Sequence, residues 1–477
     1  MRFCLKGKPS SLFLDLIELQ KADSQTILDC LLECLRKHGM DSDYLQEHLI
    51  CFATDGASVM IGRSSGITTK LREMFPSVVF WHCANHRLEL AVNDCVNSVA
   101  GINNFKIFMD KLYTLYSASP KNKIELQEAA QIVESELLKI GRILDVRWVA
   151  SSYRAASAVM KSYPALAEHF KAASLDNSRD GREKSKYSGL LSYLTSRNFV
   201  LNLALMADAL QELSTLSLAL QSRQMTFVKA HKQIKIVISV FLARKNKPGI
   251  FVEEALKEIE EHITYKDVRV SDNNRVSVPL IDAAQLYQSL ADNLTSRLFT
   301  MTSSRALSRN VNTNTVLYDN LVNDLQVLIP DYWPAEFDIL FGDDLIRNMC
   351  NRFRLLDSEQ AIINGFREFK ESEGSVVPES LQPLLKCSDT LIVGTAECER
   401  AFSSMNDTLT DSRNQLSIKR LSALMFVQIV GPPLPAFKPM QYVRSWILAG
   451  RRCADYHACK KRKPNNQNDY EHLAAYF

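Results

Sequence analysis

Apolar residues enter this chain in short runs and only later settle into helical spacing. Residues 12–17, Leu-Phe-Leu-Asp-Leu-Ile, read as a short strand. Ile27, Leu28, Leu31, Leu32 and Leu35 then share one face of a helix that Asp23 or Ser24 caps and Gly39 ends. Residues 49–54 form a second predicted strand, closed by Asp55-Gly56. A helix over 67–75, a third strand over 78–81 and a helix over 86–96 follow. Strands alternating with helices predict an α/β layer with a partly parallel sheet.

Beyond Trp148 the strand pattern stops. Residues 153–170 read as one helix. Leu203, Met206, Leu210, Leu213, Leu216 and Leu220 recur every three or four positions along a long amphipathic helix. Breaks are expected at 245–249, at the Pro-rich 330–334 and at 371–378, with mixed structure over 259–293. A strand-like run returns at 390–393, and a helix over 418–430 is stopped by Gly431-Pro432-Pro433. The expected organisation is an amino-terminal α/β part over 1–150, a helical insertion over 151–375, a closing segment over 376–435 and a basic tail over 436–477.

Composition narrows the class. Hydrophobic residues at 46% and charged residues at 23% exclude wholesale disorder and a fibrous repeat, and only 16 Gly and 15 Pro in 477 residues favour helix. A net charge of +3 does not by itself argue for nucleic acid. The best apolar run, 236–243, is short and interrupted by Ser239, far from a membrane span, and residues 1–9 have no apolar signal-peptide core. Eleven scattered Cys read as reduced thiols of the cytosol or nucleus. Only the tail is strongly charged: residues 444–463 hold seven basic side chains against Asp455, a net +6. Within it Lys460-Lys461-Arg462-Lys463-Pro464 resembles a nuclear import signal, so a nuclear location is expected. The polar run 465–468 is expected to be disordered.

Four features are candidates for chemistry. Asp55 follows an apolar strand, where α/β sheets place their sites; it also fits an Asp-Gly turn. Cys83 and His86 have metal-ligand spacing, but no second pair lies nearby, and with His82 and Asn85 the stretch fits a packed helix start equally well. Arg147 and Trp148 could grip a phosphate and stack on a base, or simply pack. Glu399 and Arg400 could aim a carboxylate at Asp55, or form a solvated pair on a helix.

Together, residues 52–60, 81–90, 145–151 and 391–404 resemble the hAT transposase superfamily, whose core is ribonuclease H-like and split by a helical insertion. The resemblance implies that Asp55 and Glu399 match two of the family's three catalytic carboxylates and that Cys83 and His86 match its Cys-x-x-His. It further implies that Trp148 matches the Trp near the cleaved DNA end, and that Arg400, Phe402 and Ser403 complete the motif after Glu399. Residues 384–431 resemble the dimerisation region, which points to Leu421, Leu424, Met425 and Val427 as interface residues. The family's reaction is a phosphoryl displacement in which carboxylates hold divalent metals such as Mg²⁺.

Counting back from Asp55 gives its strand, one helix and the strand holding Asp15, so Asp15 falls on the third strand of such a core. The first two strands and the first Asp are therefore expected to be missing, as is the family's amino-terminal zinc finger. The fold expected is an incomplete ribonuclease H-like α/β core with a large helical insertion. The function expected is that of a catalytically inactive, transposase-derived protein that forms a homodimer and retains contact with DNA, with no membrane partner. Two alternatives stand beside it: an active Mg²⁺-dependent transposase represented by an incomplete chain, and a host-adapted transcriptional regulator or SUMO-ligase-like relative.

Overall fold

The computed structural model describes residues 1–5, 7–62, 65–141, 148–271, 276–299 and 313–448, with backbone alone at Trp148, 313–319, Leu434 and Ile447. Met1–Ser403 forms one compact unit and the residues from Ser404 onward a second. The first is mostly helical, and among the described residues every strand belongs to a two-stranded pair.

The chain opens with a hairpin in which Arg2–Leu5 (β1) pairs antiparallel with Lys8–Ser11 (β2). Residues 12–19 have no regular structure, so the strand predicted over 12–17 is absent and Asp15 lies on coil. Consecutive apolar residues signal burial but do not name a pairing partner. Here β1 and β2 pair with each other, and Leu12, Phe13 and Leu14 are only half-buried.

Asp23 caps the helix Ser24–Lys37 by accepting from the Thr26 amide at 2.9 Å. Cys51–Thr54 (β3) and Val79–His82 (β4) pair in parallel, from Cys51 opposite Val79 to Thr54 opposite His82. The helix Ile67–Met74 lies between them in the chain. Leu28, Leu45, Ile67, Leu71, Phe75, Val78 and Phe80 form one apolar cluster around this part. The predicted alternation is thus present, but the parallel sheet is only two strands wide.

A larger core begins at Trp81 and runs through the helical block to Val393. Its axis is the helix Arg197–Leu220, packed by the helices Trp148–Lys161, Phe227–Arg244 and Ile250–His262. All six apolar positions predicted on this helix are buried, and so are Val200, Ala204 and Ala207 on its other sides, because helices surround it. This helix is also long and apolar enough to cross a membrane, which a count of uninterrupted runs misses because single polar residues divide it. Its most apolar window is 67% buried inside the protein, as befits a core helix.

Local chemistry sets the breaks. The single helix predicted over 153–170 is two helices, Trp148–Lys161 and Tyr163–Leu175, parted at Ser162 just before Pro164, whose ring and missing N–H suit a first helical turn. At 245–249, Gly249 precedes the helix Ile250–His262 and has no side chain to cap it. The buried Asp208 carboxylate does so instead, accepting from Phe251 and Val252 at 3.1 and 3.2 Å. A Cβ on Gly249 would run into that carboxylate, so glycine is required there. Residues 259–293 are mixed, as expected: the short pair Thr264–Tyr265 (β5) and Val268–Arg269 (β6) lies between helices.

The strand predicted over 390–393 is not one. Thr390 ends the helix Gln382–Thr390, and Leu391 and Val393 are buried on a segment that pairs with no strand among the described residues. In the second unit, the helix Ile418–Val430 ends at Gly431 before the Pro pair, and a further helix spans Pro439–Leu448.

Candidate functional site at the ends of the parallel strands

The carboxyl end of β4 meets the segment 391–395, which follows the helical block in the chain. Trp81 is buried at the end of β4, and its indole Nε1 donates to the Val393 carbonyl at 2.8 Å across 312 residues of chain. The Ala84 amide donates to the same carbonyl at 3.0 Å. Next to it the Thr395 amide donates to Cys83 Sγ at 3.3 Å. Phe227 and the Arg87 guanidinium pack on the Trp81 ring. Trp81 read from sequence only as the last residue of a strand, and its partner could not be inferred from neighbouring residues.

Asp55 follows β3 and is exposed. Its carboxylate accepts from the Ala57 amide at 3.1 Å and from the Thr54 hydroxyl at 3.4 Å, so it shapes the local turn. Gly56 in that turn has φ +85°, and the His82 ring fills the space that a Cβ would take. His82 Nε2 lies 3.1 Å from the Asp55 carbonyl oxygen. Burial, then the nearby charges of Arg87 and His86, push the His82 pKa down to about 4.

Cys83 and His86 part company. Cys83 is buried and spends its sulfur on Thr395, whereas His86 is exposed. Their spacing suits a helix start, and among the described residues they join no group of three metal-ligand atoms.

Glu399 is half-exposed on the helix Ala396–Thr408. Neither it nor Asp55 belongs to such a ligand group among the described residues. Phe402 and Ser403 are exposed.

Arg400 sits in a different constellation. Its guanidinium donates to Glu397 at 2.6 Å, and Arg223, 174 residues away from Glu397, donates to the same carboxylate at 2.8 Å. Burial pushes the Glu397 carboxyl up, but Arg400 and Arg223 outweigh it and hold the group below its usual range. Arg2, Arg223 and Arg400 line one hollow with Glu397 and Val393, and Arg2 also donates to the Asp389 carbonyl. The spacing of Glu397 and Arg400 was legible on one helix; Arg2 and Arg223 carried no local signal.

Arg147 lies outside the described residues, and of Trp148 only the backbone is described. That backbone starts the helix Trp148–Lys161, whose Val149 amide donates to Glu89 at 3.2 Å. The tail from 449, with the basic run 460–464 and the polar run 465–468, also lies outside them.

The four interface candidates divide into two pairs. Leu421 and Met425 are buried at 1% and 0% exposure. They are four residues apart and share one helix face. Leu424 and Val427 are 45% and 64% exposed, with Phe426 beside them. Among the models of known protein families, none matches this chain.

Proposed function

We propose that this chain is a transposase-derived protein of the hAT type, with a split and incomplete ribonuclease H-like core, and that it acts by self-association rather than by catalysis. The supporting observation is the junction of β4 with the segment 391–395 through Trp81, Cys83 and Val393. A core split by an insertion needs such a junction, and the helical block occupies the interval between its two sides. The turn role of Asp55 and its separation from any group of three ligand atoms argue against metal-dependent cleavage by this chain as it stands.

Self-association rests on the helix Ile418–Val430. Leu424, Phe426 and Val427 are exposed together there, and grouped apolar exposure marks interfaces. A twofold homodimer is the default arrangement. Leu424→Asp combined with Val427→Asp removes apolar surface without touching the buried Leu421 and Met425. Sedimentation should show a dimer for the unmodified chain and a monomer for the double variant, with helix content retained. A monomer at tens of micromolar, roughly where a weak interface still holds, would sink the proposal.

The arginines around Glu397 and the basic tail favour an anionic partner such as duplex DNA, consistent with a nuclear protein. Residues 444–477 fused to a cytoplasmic reporter should carry it into the nucleus. A reporter that stays in the cytoplasm would remove the import signal from this reading.

A further inference from the structure

The helix Ser24–Lys37 and its capping residue carry Cys30, Cys34 and His38 at four-residue spacing, one above another on a single face. Cys34 is 8% exposed, yet it is outside the apolar cluster that holds Leu28. Six residues separate the two, which places Cys34 about a third of a turn round the helix. The coil that replaces the predicted strand passes beside this face and brings Asp15 to it. Cys34 Sγ, a ring nitrogen of His38 and a carboxylate oxygen of Asp15 all lie within 4.8 Å of one another.

We propose that Asp15, Cys34 and His38 bind one zinc ion, with water completing a tetrahedral shell. Zinc bonds of about 2.0–2.3 Å to S, N and O put neighbouring ligand atoms roughly 3.5 Å apart. The three groups therefore need to close by up to about 1 Å; Asp15 and His38 are exposed, and the Asp15 carboxylate also accepts from the Leu16 amide at 2.8 Å. Thiolate and imidazole donors favour zinc over magnesium. Binding deprotonates the Cys34 thiol, whose proton passes to solvent while sulfur donates a lone pair to the metal. No electron is transferred. The site uses neither Asp55 nor Glu399, and it is separate from Cys83 and His86. Its effect is architectural, since the ion ties a coil with no strand partner to the first long helix.

Cobalt(II) chloride titrated into the full-length, metal-free chain tests this. One equivalent should produce a sulfur-to-cobalt charge-transfer band and the visible bands of a four-coordinate ion, and one equivalent of zinc should displace it. Zinc should also raise the melting temperature. Asp15→Asn and His38→Ala should each weaken zinc binding by more than the roughly 10–100-fold that loss of an outer-shell partner costs, Cys34→Ser should abolish the charge-transfer band, and His86→Ala should change nothing. If Cys34→Ser unfolds the metal-free chain, the exposed Asp15 and His38 variants decide. Absence of the band at one equivalent, or zinc affinity unchanged in both Asp15→Asn and His38→Ala, overturns the proposal.

Discussion

At the scale of single residues, His82 shows how the candidate site couples to solvent. Its ring is pressed over Gly56 and its nitrogen is held at the Asp55 carbonyl. Burial first, and then the charges of Arg87 and His86, push its pKa from 6.5 down to about 4, while Asp55 pulls weakly the other way. In the unfolded chain the imidazole takes up a proton near pH 6.5, but in the fold it stays neutral until about pH 4. Between these values the unfolded state binds more protons, so this contribution is complete above about pH 6.5 and is lost as pH falls toward 4. Burial and Lys235 push His231 in the same direction, also to about 4. His82→Gln should therefore shallow the decline in stability across this window while leaving the part due to His231. Urea unfolding at stepped pH reads the effect, and an unchanged slope would rule out His82 as a contributor.

One scale up, the question is what docks the segment 391–395 onto β4. The Val393 carbonyl accepts from both the Trp81 indole and the Ala84 amide, and Thr395 donates to Cys83. Trp81→Phe keeps an aromatic ring in the core but removes the indole N–H. A lost buried hydrogen bond costs about 1–2 kcal/mol, to which the smaller ring adds some loss of packing. The expected result is a destabilisation of that order, with faster amide exchange at Thr395 while the Arg197–Leu220 axis stays protected. Unchanged exchange at Thr395 would mean that the indole bond does not hold the segment. The helices of this region were readable because their period repeats over many residues. The junction was not, because its partners lie 312 residues apart and one of them is a backbone carbonyl.

For the whole molecule, the test is chemistry on DNA. The chain as it stands should show no Mg²⁺- or Mn²⁺-dependent nicking of duplex DNA. Losing one metal-holding carboxylate costs about 4 kcal/mol of barrier, roughly a thousandfold in rate. Asp55 and Glu399 are not gathered with a third ligand among the described residues. Cleavage that disappears on Asp55→Ala or Glu399→Ala would show this reading to be wrong and would restore the active-transposase alternative. Retarded migration of DNA without cleavage, weakened by salt, would fit a chain that kept only its charge contacts.

Local pattern alone determined most of the elements. Asp23 capped the first helix, Asp55 and Gly56 made the turn after β3, six apolar positions marked the buried axis, and Gly431 with its two prolines stopped the helix Ile418–Val430. Each depends on contacts within a few residues, where intrinsic preference and period carry the information. Tertiary structure decided the rest. It left residues 12–17 as coil because β1 and β2 pair with each other. It buried Leu421 and Met425 while exposing Leu424 and Val427, brought Arg223 to Glu397, and gathered Asp15, Cys34 and His38 into one cluster. Those outcomes depend on which distant surfaces meet, and no local spacing encodes that choice.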